Sequence, residues 1–218
     1  FITSNGQKMS KSLGNVVAPA EAIEKYGVDP LRYYLLRELP TTDDGDFSWR
    51  RLEELYNHEL ADNLGNLLSR VIKMANQYCA GKVPIGPSDF EDAVLTTTLV
   101  SEYKNYLDRL DLQKALLCVN QYIQHLNGLV DAKKPWVLAK TGQTELVEQS
   151  LYLLLDGLRI TGLLLTPFLP GTAEKIYQTL GLDVAGLNWQ VSATRGTLSA
   201  GSQIAATSPI LFPKQDKP

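Results

Sequence analysis

Between Thr144 and Thr166 leucine falls on almost every side of the helical period, and no other stretch restricts the possible folds of this chain so much. A helix that is apolar all round has to be enclosed by other elements. It does not read as a membrane span, because Asp156 and Arg159 interrupt it before the roughly 20 apolar residues that a bilayer needs have accumulated. The partners for enclosure are present on both sides. Ser48 reads as the cap of a long segment in which Leu52, Leu55, Leu60, Leu64, Leu67, Val71 and Ala75 recur three to five residues apart, the pattern of an amphipathic and kinked helix ending near Gly81. After the loop at Pro84, Gly86 and Pro87, Ser88 starts another helix to about Leu110. Asp111 then caps one whose Leu112, Ala115, Leu116, Val119, Ile123, Leu126 and Val130 trace a single face until Pro135 stops or kinks it. Pro170 opens a last helix through Leu180.

These helices, joined by short turns, predict a mostly α fold, an antiparallel helix bundle over residues 48–183. A small unit over 1–47 precedes it. There Pro19 begins a short helix ending near Gly27, and Asp29-Pro30 supplies an N-cap and an N1 proline for a second helix through Leu39. Residues 40–47 break the pattern. No stretch alternates strongly enough to promise a sheet, and no repeat is evident. Beyond Gly186 the chain is rich in Ser, Thr, Ala and Gly; residues 184–218 read as an extended tail without a stable helix.

Composition excludes several classes of function. The 218 residues are 44% apolar and 21% charged, with neither a membrane span nor a charged leader before an apolar run, which predicts a cytoplasmic protein with no membrane partner. Cys79 and Cys118 form no C-x-x-C pair, so neither a metal site nor a disulfide is expected, and both sit at helical spacing as small buried side chains. His58 and His125 are isolated and suggest no chemistry. The net charge of −3 hides three acid-free windows, 1–20, 63–88 and 132–144, each carrying lysine or arginine and so locally positive.

The chemistry concentrates in Lys8-Met9-Ser10-Lys11-Ser12. Two ammonium groups lie three residues apart, no acid occurs before Glu21, and Gly6 and Gly14 loosen the flanks. Such cations can grip a triphosphate. Gly6 to Asn15 resembles the KMSKS signature of the class I aminoacyl-tRNA synthetases, matching every residue of the five-letter core. Tyr26-Gly27-Val28-Asp29-Pro30-Leu31-Arg32-Tyr33-Tyr34-Leu35 resembles the continuation in the subfamily for methionine and the aliphatic amino acids.

The resemblance to the methionyl-tRNA synthetases implies that Lys8, Met9, Ser10, Lys11 and Ser12 form a loop closing over ATP with its Mg2+. Lys11, and after it Lys8, would stabilise charge moving onto the departing pyrophosphate. It also implies that the unit over 1–47 contacts the tRNA stem and that the bundle binds the anticodon. Asn66-Leu67-Leu68-Ser69-Arg70 looks like the family's Asn-Leu-x-Ser-Arg element, with Asn66 and Arg70 one turn apart on one face to meet a base edge. Lys133-Lys134-Pro135-Trp136 resembles its Pro-Trp element, in which Pro135 fixes the approach of an indole that stacks on the first anticodon base and Lys133 and Lys134 meet phosphate. Pro209 to Pro213 approximates the family's Pro-Leu-Phe-Pro end, whereas Pro40-Thr41-Thr42-Asp43 departs from its pattern and leaves any role for the turn at Asp44 to Ser48 open.

The partners implied are tRNA(Met), methionine and ATP. A Rossmann-type half with a His-x-Gly-His-like signature is also implied and is not among these residues; the opening at Phe1 looks truncated. This polypeptide alone is therefore expected neither to hold ATP stably nor to activate an amino acid. Two alternatives stand beside this reading: part of a valyl-, leucyl-, isoleucyl- or cysteinyl-tRNA synthetase, and a tRNA-binding module without chemistry.

Overall fold

The computed structural model describes residues 1–184 and 189–214. The long leucine-rich segment is helix α8, Thr144–Leu165, the innermost element, in which even Asp156 and Arg159 are buried. Around it pack α4 (Asn66–Tyr78), α6 (Leu112–Lys133), α7 (Pro135–Lys140) and α9 (Pro170–Thr179). α5 (Ala93–Asp108) lies along α6, and their short connection makes the pair antiparallel. The mostly α bundle predicted from the helical periodicity is the fold observed. Among the described residues no helix is long and apolar enough to cross a membrane.

Four local expectations are corrected. A sheet does exist: β1 (Ile2–Ser4) pairs antiparallel with β2 (Gln7–Lys8) and parallel with β3 (Gly45–Phe47). Strands this short carry no alternation; their signal was the Asn5-Gly6 pair, both residues at positive φ, which closes a two-residue hairpin of the twist-compatible kind. The second correction concerns Asp29. Helices α1 (Pro19–Tyr26) and α2 (Val28–Glu38) meet at Gly27, and Asp29 lies inside the first turn of α2 instead of capping it. Its carboxylate accepts hydrogen bonds from the Thr172 amide (2.6 Å) and hydroxyl (2.7 Å), capping the start of α9 from 143 residues away.

Third, the helix expected from Ser88 begins only at Ala93, because Asp92 turns inward toward Arg195. Fourth, the tail contains one helical turn, α10 (Trp189–Ser192). The rest of its described length has little regular structure but is bonded to the bundle: Val83 N–H donates to Ser202 O (2.9 Å), Ile204 N–H to Gly81 O (2.9 Å) and Ala205 N–H to Thr179 O (2.8 Å). Leu198, Ile204, Leu211 and Phe212 bury their side chains, each worth about 1.5–3 kcal/mol when fully enclosed.

The expected kink between Ser48 and Gly81 takes a specific form. α3 (Trp49–Leu55) runs into a π-helical stretch, Tyr56–Gly65, before α4 begins at Asn66. Wide turns of this type are rare and cluster at functional sites. Glu59 of this stretch accepts from Tyr33 of α2, from Arg37 (3.2 Å) and from Asn120 of α6 (3.0 Å), joining the small unit to the bundle. Pro135 both stops α6 and starts α7, with Lys134 between them in the left-handed region at φ 47°. Cys118 is buried as expected; Cys79, just past the end of α4, is only half-buried.

Candidate functional site

The lysine-rich segment is mounted on the hairpin. Gly6 at φ 73° completes the turn and Gly14 at φ 64° ends a single 3-10 turn over Lys11–Leu13, so the two glycines shape defined turns instead of merely loosening the loop. Ser10 caps that turn, its hydroxyl accepting from the Ser12 amide (3.3 Å) and lying 2.7 Å from the Ser12 hydroxyl. Met9 packs against the core while Lys8 and Lys11 remain exposed. Among the described residues neither lysine has an acidic ion-pair partner. What the segment offers is therefore two uncompensated cations on a backbone held in place from below.

Residues that the sequence reading passed over do the holding. Asn15 Oδ1 accepts from the Ser10 amide (2.8 Å), and its Nδ2 donates to the Lys8 carbonyl (3.1 Å). Asp46 Oδ1 accepts from the Thr3 hydroxyl (2.6 Å) and the Gly6 amide (2.7 Å), which hold this carboxylate below its ordinary range. The turn from Asp44 to Ser48, whose role was open, thus continues as the strand β3 beside β1. Asp in a strand opposite an Asn-Gly turn was the available clue, but the partners are 40 and 43 residues apart.

A second group of predicted residues lies on the bundle. Asn66 and Arg70 are both exposed on α4, separated by one turn. Asn66 lies with Gly65, Ser69, Ile210 and Phe212 along a groove of about 230 Å³ between α4 and the tail. Arg70 Nη2 is ion-paired at 2.9 Å with Asp131 in the last turns of α6, an acid that the sequence reading had not singled out. Trp136 is partly buried at the edge of the core, on a short helix that packs against α4 as well as α8; Pro135 beneath it is buried. Lys133 is bound to Glu91 (2.7 Å), and Lys134 is exposed. Helix packing thus brings Asn66 and Arg70 onto an element that touches the one carrying Trp136, although 66 residues of sequence separate Arg70 from Trp136.

Among the described residues no cluster of His, Cys, Asp and Glu could hold a metal ion. A carboxylate-free lysine loop suits phosphate oxygens and offers no carboxylate to Mg2+. His125, assigned no chemistry, sits 3.1 Å from Asp92 at the rim of a buried charge network. In that network Arg195 reaches Asp92 and the Leu153 carbonyl (2.8 Å), while Arg159 binds Asp156 (2.8 Å) and the carbonyls of Ser192 and Thr194. It ties the tail to α8.

The family model described as tRNA synthetases class I (M) matches residues 1–72, and that of the anticodon binding domain of methionyl tRNA ligase matches residues 85–217. A methionine–tRNA ligase of Halalkalibacterium halodurans is 36% identical over 96% of the chain and 32% of its own length. One of Caldanaerobacter subterraneus subsp. tengcongensis is 38% identical over 99% and 34%. Among solved structures, Mycobacterium tuberculosis methionyl-tRNA synthetase in complex with methionyl-adenylate superposes with a TM-score of 0.86 at 29% identity, covering 97% of this chain and 42% of that one. Its apo form gives 0.85 at 26% identity over 100% and 43%. The chain spans about a third of the length of these curated relatives.

Proposed function

The chain belongs to the methionyl-tRNA ligase family, and from that premise we propose that it supplies two working parts of a cytoplasmic enzyme that activates methionine with ATP and loads it onto tRNA(Met). On this reading residues 1–47 are the loop and stem-contact unit, 48–183 the anticodon-binding bundle and 184–218 the C-terminal tail. The observation that carries the reading most is the exposed Asn66 and Arg70, one turn apart on α4, with α7, the helix that carries Trp136, packed against the same helix.

ATP, with its Mg2+, would supply the electrophilic α-phosphorus that the methionine carboxylate attacks. Lys11 and Lys8 lay positive charge where the leaving pyrophosphate gains negative charge. Cations aimed at charge that develops stabilise the transition state more than the ground state, and losing one such donor typically costs about 10²–10³ in rate. Asn66 hydrogen-bonds a base edge of the CAU anticodon, Arg70 bonds or stacks beside it, and the Trp136 indole supports the first base. Stacking on an aromatic ring is worth about 1–3 kcal/mol.

Two measurements test the proposal. In the full-length enzyme, Lys11→Ala should slow pyrophosphate exchange by about 10²-fold with tRNA affinity unaltered; an unchanged rate refutes the role of the loop. Binding of tRNA(Met) should exceed that of the same tRNA with another first anticodon base by about 1–3 kcal/mol. Equal binding removes the anticodon assignment.

A further inference from the structure

We infer that Asn15 and Asp46 are positioning residues that set the spacing and direction of Lys8 and Lys11 before a nucleotide arrives. The inference rests on the proposed phosphate-gripping role of those lysines and assigns neither Asn15 nor Asp46 a contact with the ligand.

Fixing the backbone costs conformational entropy residue by residue, so a slack segment from Lys8 to Asn15 would spend much of its phosphate affinity on becoming ordered. The hydrogen bonds described above remove that cost in advance. Asn15 spans the segment: one end of its amide accepts from Ser10 and the other donates to the Lys8 carbonyl, fixing the chain on both sides of Met9. Ser10 then caps the 3-10 turn that carries Lys11. The direction of Lys11 relative to Lys8 is therefore fixed by a side chain that follows both.

Asp46 fixes the other end. A single oxygen accepts from Thr3 and from the turn amide of Gly6, holding the hairpin whose second strand ends at Lys8. Asp46 is itself anchored from the core. Its strand neighbour Phe47 is buried against Tyr34 with ring centres 5.0 Å apart, and the Tyr34 hydroxyl donates to the Asp46 carbonyl (3.3 Å) while accepting from the Ser48 amide (2.8 Å). The carboxylate is also kept ionised by the two donors it accepts from. A continuous path runs from the aromatic core through Asp46 and the hairpin to Lys8, and through Asn15 to Lys11.

The test is pyrophosphate exchange by the full-length enzyme carrying Asn15→Ala, Asn15→Asp, Asp46→Ala or Asp46→Asn, with Lys11→Ala alongside. Asn15→Ala and Asp46→Ala should each lower kcat/KM for ATP at least about tenfold, since small misplacements of catalytic groups are costly. KM for methionine and affinity for tRNA should stay at wild-type values, which a general loss of folding would not allow. Asp46→Asn keeps an acceptor oxygen and should recover most of the activity. Asn15→Asp keeps the acceptor for Ser10 but loses the donor to Lys8, and should fall between wild type and Asn15→Ala. Wild-type ATP kinetics in both alanine variants, with Lys11→Ala impaired, would overturn the inference and leave the role of the loop standing. Wild-type kinetics in Lys11→Ala would overturn that role and the inference with it.

Discussion

Arg70 is already occupied before any RNA arrives, and this makes its contribution to binding calculable. Its guanidinium is 2.9 Å from Asp131, and the two side chains are 42% and 67% exposed. Exposed pairs of this kind are worth about 0–1 kcal/mol, whereas a good contact to a base edge is worth about 1–3 kcal/mol. On the proposed reading, Arg70 leaves Asp131 for the anticodon with a modest net gain. Taking the midpoints of the two ranges, Arg70→Ala should weaken tRNA(Met) binding by about 1.5 kcal/mol, roughly tenfold. Asp131→Asn frees the guanidinium and removes an anion from the proposed RNA-facing surface, so it should tighten binding by up to about fivefold. The two effects should not add: with Arg70 already replaced, the gain from Asp131→Asn should shrink. Fluorescence anisotropy of the full-length enzyme with labelled anticodon stem-loop, at one fixed salt concentration, measures all four corners of the cycle. Weaker binding by Asp131→Asn, or undiminished binding by Arg70→Ala, would refute the reasoning.

Three further outcomes are expected. Trp136→Ala should lose about 1–3 kcal/mol of stem-loop affinity and Trp136→Phe much less, read in the same titration, because a smaller ring still stacks. Arg195→Met leaves the buried Asp92 with His125 as its ion-pair partner among the described residues, and breaking a buried pair in this way costs about 3–5 kcal/mol, to be seen as a lower midpoint in urea unfolding. Burial pushes the Cys79 thiol up to about 11, so in the native protein iodoacetamide should modify it slowly at pH 8 and quickly only as pH rises toward that value. The unfolded chain, whose thiols titrate near their ordinary pKa of about 8.5, should react readily at pH 8.

Much of the molecule was legible without coordinates. Helical periodicity is a local property, so Leu112 to Val130 disclosed the buried face of α6, and the unbroken leucines after Thr144 disclosed that α8 would be central. The lysine loop and the Asn66, Arg70 and Trp136 trio were singled out by the resemblance of their short motifs to those of the methionyl-tRNA synthetases, since spacing alone marks Asn66 and Arg70 only as surface polars and Trp136 only as a core anchor. Contacts between distant segments were not. Asp29 looked like the cap of its own helix, yet the bundle delivers it to Thr172; Asp46 looked like a turn residue, yet it secures the hairpin under Lys8. Arg159 and Arg195 became the tail's attachment, and Asp131 the partner of Arg70, only once helices had packed. A hydrogen bond or ion pair needs two groups within about 3 Å, and for segments tens of residues apart that proximity is created by burial of the apolar faces, which the sequence specifies as a pattern but the folded chain alone turns into distances.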